Sequence, residues 1–212
     1  MNLREKTRDI GEYGCVLLAG GVGKRMGYRN KAELKLGDDT FMDKIVAELR
    51  RTSYPCYISV MSLEQEIPKG FIKIQDSVRD LSGRGVGPIG GIYSCLKRAE
   101  TDGLRGLFFV PCDAPCFKAE IIFALQRHIR NEDDALFWQT PDGKDQIVFG
   151  FYSVSCIPDL EEDIQNGLYK IRRTLDKVHY RSLSSEAANL PEWLFTNVNN
   201  IGDYQNLIKS EN

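Results

Sequence analysis

Three stretches of this sequence carry residues whose types and spacing could do phosphate chemistry. The first reads Leu18-Ala19-Gly20-Gly21-Val22-Gly23-Lys24-Arg25-Met26-Gly27, with Lys31 close behind. Glycines let backbone N–H groups approach a phosphate, and nearby cations neutralise it. Spacing excludes the two common phosphate loops. A P-loop needs Ser or Thr after its Gly-Lys, and Gly23-Lys24 is followed by Arg25. A dinucleotide fingerprint begun at Gly21 and Gly23 needs a glycine where Met26 stands. What remains is a glycine-rich loop with Lys24, Arg25 and Lys31, a composition suited to a triphosphate or pyrophosphate. A flexible loop with solvated charges has the same composition.

The second stretch, Phe108-Phe109-Val110-Pro111-Cys112-Asp113, sets a carboxylate directly after an apolar run. An aspartate there can hold a hard cation such as Mg²⁺, which bridges phosphate oxygens. It could equally cap the next helix or order the turn between Pro111 and Pro115. The third stretch is Asp76 and the glycine-rich segment 77–87 that follows it. Such a segment fits a lid or substrate loop. Its Arg79 and Arg84 are candidates for contacting a phosphorylated substrate.

These residues need elements to position them. Apolar runs predict strands over 13–19, 57–62, 71–76, 106–113, 134–140, 147–154 and 194–198. Between them, Phe41, Ile45 and Leu49 recur at helical spacing behind a capping Thr40, predicting a helix over 40–51. Further helices are predicted over 88–100 (with Pro88 at its first position), 118–130, 158–166, 169–177 and 203–209. Alternating strands and helices predict a layered α/β fold with a mainly parallel central sheet. Ligands of such sheets bind beyond the carboxyl ends of the strands. The glycine loop, Asp76 and Asp113 all fall there.

Composition bounds the rest. The chain has 212 residues, and 28 Lys plus Arg against 30 Asp plus Glu leave a net charge of −2. That balance excludes a generally basic nucleic-acid coat. No run approaches the roughly 18 apolar residues of a membrane span. The polar N-terminal segment has no apolar signal region, so the expected location is the cytoplasm. In that reducing setting Cys15, Cys56, Cys95, Cys112, Cys116 and Cys156 are read as free thiols. A metal or redox pair at Cys112-x3-Cys116 is possible by spacing. A zinc site, however, needs four ligands, and the only histidines are His128 and His179.

Taken in order, Leu18 to Lys31, Asp76 to Gly91, Pro111-Cys112-Asp113-Ala114-Pro115 and Asn197-Val198-Asn199-Asn200 resemble the motifs of molybdenum cofactor guanylyltransferases, the MobA-type nucleotidyltransferases. The resemblance runs from about Tyr13 to Leu207. It implies a Rossmann-like, three-layer α/β/α nucleotidyltransferase fold built as a single domain over 1–212. A nucleotide-binding half would cover about 13–115 and an acceptor-binding half about 116–210. It also implies Mg²⁺-dependent transfer of GMP from GTP to molybdopterin, with release of pyrophosphate.

By the same resemblance Leu18, Ala19 and Gly20 line the guanine nucleotide, while Gly21, Gly23, Arg25 and Lys31 hold its phosphates. Asp76 contacts the nucleotide and Asp113 binds Mg²⁺, so that Arg25, Lys31 and Asp113 carry catalysis. Arg79, Gly87, Pro88, Asn197 and Asn199 fall on the substrate side. Partners from molybdopterin synthesis, or recipient molybdoenzymes, would belong to such a protein. The sequence departs from the pattern at Tyr28-Arg29-Asn30-Lys31, where the family has Gly-x-Asp-Lys. Two other readings fit the same residues. One is a related nucleotidyltransferase using CTP or another phosphorylated acceptor. The other is a catalytically silent nucleotide-binding protein.

Overall fold

The computed structural model describes residues 12–20 and 31–211. The chain begins with β1 (Tyr13–Leu18), then forms a short antiparallel hairpin, β2 (Lys35–Leu36) and β3 (Asp39–Thr40), ahead of α1 (Phe41–Arg50). It continues through β4 (Cys56–Val60), β5 (Ile72–Gln75), α2 (Pro88–Thr101), β6 (Gly106–Pro111) and α3 (Glu120–Gln126). β7 (Ala135–Gln139), β8 (Asp145–Ser153), α4 (Ile157–Gln165), α5 (Ile171–Leu175), β9 (Tyr180–Ser184) and α6 (Ile201–Glu211) complete it.

Seven strands form one sheet in the order β5-β4-β1-β6-β8-β7-β9, and β8 alone runs against the rest. Both faces are covered, which is why the inner strands β1, β4 and β6 are buried along their length and, Ser59 apart, carry no polar side chain on alternate residues. Cys15 and Leu17 of β1 pack on the face of α1 and α3, and Val16 packs on the face of α2, α4 and α5. The fold is therefore the expected three-layer α/β/α arrangement with a mostly parallel sheet.

The order of the strands fixes where a ligand can enter. The chain moves outward from β1 through β4 to β5, then returns through α2 to pair β6 on the other side of β1. Strand order thus reverses between β1 and β6, and a crevice opens beyond their carboxyl ends.

Some expected elements differ. The run 194–198 is not a strand. Glu192–Phe195 is a 3₁₀ turn, and the consecutive Leu194 and Phe195 are both buried on the α1/α3 face. A strand would have sent them to opposite sides. The sheet is closed instead by β9, whose half-buried Tyr-Arg-Ser-Leu-Ser sequence gives little apolar alternation. Helix 118–130 contracts to Glu120–Gln126, and helix 169–177 to Ile171–Leu175.

Candidate active site

The β1–β6 pairing sets the geometry of the site. Leu18 lies opposite Pro111, so residues 19–20 and 112–113 leave the sheet side by side. The Ala19 N–H donates to the Ser59 carbonyl at 3.0 Å, and the Cys112 N–H donates to the Leu18 carbonyl at 3.2 Å. Gly21, Gly23, Lys24, Arg25, Tyr28 and Asn30 lie outside the described residues. Lys31 opens a 3₁₀ turn, Lys31–Glu33, anchored by the buried Ala32.

From that turn the Lys31 ammonium reaches across the crevice. It donates to Asp113 Oδ2 at 2.8 Å and to Asn199 Oδ1 at 3.2 Å. Both members of the ion pair are largely but not fully enclosed, with side chains 14% and 20% exposed. Residues 82 and 168 positions apart in sequence therefore meet at one cation. Asp113 does not cap α3. Its carbonyl accepts from the Val198 N–H at 2.8 Å, tying the C-terminal segment to the end of β6.

Asp76 follows β5 and is buried. Its Oδ1 accepts from the Val78 N–H at 3.1 Å, and the Arg79 guanidinium lies 3.8 Å away. Burial pushes its carboxyl pKa up, and neither that N–H nor the charge of Arg79 offsets the effect. The N-terminus of α2 presses directly on this corner. A Cβ on Gly90 would stand 2.8 Å from Asp76 Oδ1, and one on Gly91 would stand 3.1 Å from Ser59 Oγ. Gly87 precedes the helix at φ 84°, a left-handed conformation that favours glycine, and Pro88 takes its first position. Gly87 and Pro88 thus shape the α2 N-terminus, whose dipole favours a nearby anion.

The two loop arginines are held by neighbouring groups. Arg79 donates to the Val78 carbonyl at 2.8 Å, and Arg84 pairs with Asp80 at 3.1 Å. Asn197 and Asn199 also part. Asn199 joins Lys31, whereas Asn197 lines a groove of about 870 Å³ with Cys116, Phe117, Lys118, Trp193 and Asp203. Asn197 Oδ1 is buried there without a hydrogen-bond partner.

The described residues test whether Mg²⁺ fits. None of their His, Cys, Asp and Glu side chains gather in threes that could hold a metal by themselves. Asp113 presents one carboxylate at the crevice, already attracting a cation. Mg²⁺ commonly uses one or two carboxylates and takes its other ligands from phosphates and water. The donor set therefore fits a metal shared with a bound phosphate chain. Asp203, which with Gly202 follows the Asn197–Asn200 stretch of the resemblance, carries no role there. Its local signal is the Asn-x-x-Asp spacing of a helix start, which is common.

A family model described as a MobA-like NTP transferase domain matches residues 15–180. The chain is 32% identical over 124 residues to a Bacillus licheniformis protein named probable molybdenum cofactor guanylyltransferase, covering 58% of this chain and 62% of that relative. It is 28% identical over 156 residues to the molybdenum cofactor guanylyltransferase of Vibrio parahaemolyticus, covering 74% and 76%. Among solved structures it is similar to molybdopterin-guanine dinucleotide biosynthesis protein A of Archaeoglobus fulgidus. The TM-score is 0.75 at 20% identity, over 93% of this chain and 97% of that one.

Proposed function

From the premise that this chain belongs to the MobA-like NTP transferase domain family, a family of nucleotidyltransferases, we propose that it transfers GMP from GTP to molybdopterin. The observation that carries the reading is the Lys31–Asp113 pair at the switch point between β1 and β6. It places a cation and a carboxylate together where a phosphate chain would lie.

A terminal phosphate oxygen of the acceptor attacks the α-phosphorus of GTP. The bond to the oxygen bridging to the β-phosphate breaks, and pyrophosphate leaves with that electron pair. The attacking phosphate is already anionic, so no general base is required, and catalysis rests on positioning and charge neutralisation. Lys31 supplies positive charge to the phosphates. The N–H groups at the head of α2 and the backbone of residues 19–20 orient the nucleotide beside Asp76. Asp113 would hold Mg²⁺, which when bound supplies further neutralisation of the α- and β-phosphate charge. Asn197, with its unpartnered oxygen, lines the neighbouring groove, which would be the acceptor's side in this reading. GTP and molybdopterin are then the small-molecule partners, and proteins of molybdopterin synthesis or recipient molybdoenzymes are its candidate protein partners. No helix among the described residues is long and apolar enough to cross a membrane.

The test is pyrophosphate release from GTP or CTP, with Mg²⁺, in the presence of molybdopterin or of other phosphorylated acceptors. Release with GTP and molybdopterin is expected. Release only with a sugar phosphate, or only with CTP, would replace the assignment by a related nucleotidyltransferase, and no release at all would leave the catalytically silent nucleotide-binding protein that Tyr28 and Asn30 motivate.

A further inference from the structure

The hold on Lys31 does not end at Asn199. Asn199 lies in an irregular segment just ahead of α6, and its direction is set by its own backbone. The Asn199 N–H donates to Asp203 Oδ2 at 2.8 Å, and the Asn200 N–H donates to the same oxygen at 3.1 Å. In return the Asp203 N–H donates to Asn200 Oδ1 at 3.0 Å. This is a capping box at the start of α6, with an added bond one residue further upstream. A Cβ on Gly202 would come within 3.0 Å of Asn200 Oδ1, so the turn is tightly drawn.

The helix carrying Asp203 is itself fixed. Tyr204 Oη donates to the Lys35 carbonyl at 2.7 Å, and its ring meets Phe41 edge-on at 6.0 Å. Val198 and Leu207 are buried with Leu34, Leu36 and Phe41. A rigid element thus presents a carboxylate to the backbone of Asn199. Asn199 presents its oxygen to Lys31, and Lys31 sits on Asp113.

We propose that Asp203 is a positioning residue for Lys31, acting through the backbone and side chain of Asn199 rather than on any ligand. A link of hydrogen-bonded groups of this kind fixes a side chain more tightly than any one contact, because each group's orientation depends on the next. The consequence for nucleotide binding rests on the function proposed above; the consequence for Lys31 itself does not.

The experiment measures the acetylation rate of Lys31 by acetic anhydride in the ligand-free full chain, read by peptide mass analysis, beside the affinity for GTP with Mg²⁺. Asp203→Ala and Asn199→Ala are each expected to speed Lys31 acetylation by about two- to tenfold, the range one net hydrogen bond spans. The double variant should be no faster than Asn199→Ala alone. Asn200→Ala removes the other half of the same capping box and should leave the rate at its wild-type value. Asp203→Asn keeps the shape of the acceptor without its charge and should fall between. An unchanged rate in Asp203→Ala, an additive double variant, or an Asn200→Ala as fast as Asp203→Ala would overturn the proposal and leave Asp203 as a helix cap only. The expected acetylation pattern in a protein that does not bind GTP would uphold the positioning role and sink the proposed function instead.

Discussion

Lys31 and Asp113 are each other's partner and share one task, so their removal should not be additive. Lys31→Ala is expected to lower kcat by about 10²-fold, the scale of losing one preorganised charge at a developing oxyanion. Adding Asp113→Ala should cost much less than the product of the two single losses. Single-turnover rates with GTP would show it, and full additivity would mean the pair does not act as a unit. Asp76 makes a different prediction. Burial raises its pKa, so the folded state holds the proton more tightly than the unfolded one. Its contribution to stability is therefore complete below the usual carboxylate range and is lost as pH rises through the raised folded value. Above that raised value the ionised side chain opposes folding. Asp76→Asn should raise Tm at pH 7, bring no gain in acid below the unfolded range, and weaken nucleotide binding. A Tm unchanged at pH 7 would show that the ionised carboxylate carries no penalty. A carboxyl whose pKa is raised by burial beside a charged partner is characteristic of functional sites.

Among the elements, α1 and β9 depend on polar contacts of opposite visibility in the sequence. Thr40 Oγ1 accepts from the Asp43 N–H at 3.1 Å, and the Asp43 carboxylate accepts from the Thr40 N–H at 3.0 Å. Thr40→Ala should cost about 1 kcal/mol, measured by urea unfolding. For β9, Arg181 Nε donates to Asp133 Oδ1 at 2.7 Å, and the Asp133 side chain is fully enclosed. Burial works against its ionisation, but Arg181 and the Arg130 N–H outweigh it and hold its pKa below the usual range. That stabilisation is present above the normal carboxylate pKa and is lost as pH falls through the lowered folded value. Arg181→Met strands a buried charge and should cost about 3 kcal/mol at pH 7. A loss under half of that would mean water reaches Asp133 once the arginine is gone.

For the whole molecule, the close-packed layers on either side of the sheet decide the chemistry of the cysteines. Cys15, Cys56, Cys95, Cys112 and Cys156 are buried free thiols, and Cys116 is partly exposed at the groove. Burial pushes Cys56 up to about 11 and Cys112 and Cys156 up to about 12. A thiol reagent at pH 8 should therefore modify Cys116 first and reach the others only as the protein unfolds. Rapid modification of Cys112 in the native protein would mean that the end of β6 opens readily.

The layered α/β class, the strands on which the site is built, and the turn that caps α1 were legible in the residues alone. These are written in local signals: continuous apolar runs, helical spacing, and a Thr-x-x-Asp start. The sequence also marked Lys31 through the glycine-rich loop, and Asp76 and Asp113 as acids closing apolar strands, although a helix cap or a turn fits those acids equally. Tertiary contacts alone bring Lys31, Asp113 and Asn199 together and turn Asn197 into its groove. The tertiary structure decided, too, that the last strand is β9 and not the apolar run 194–198. Each of these depends on partners far apart in the chain. Asp203 shows the reason most plainly. Its local pattern is that of any helix cap, and what the cap holds in place is fixed by where α6 docks.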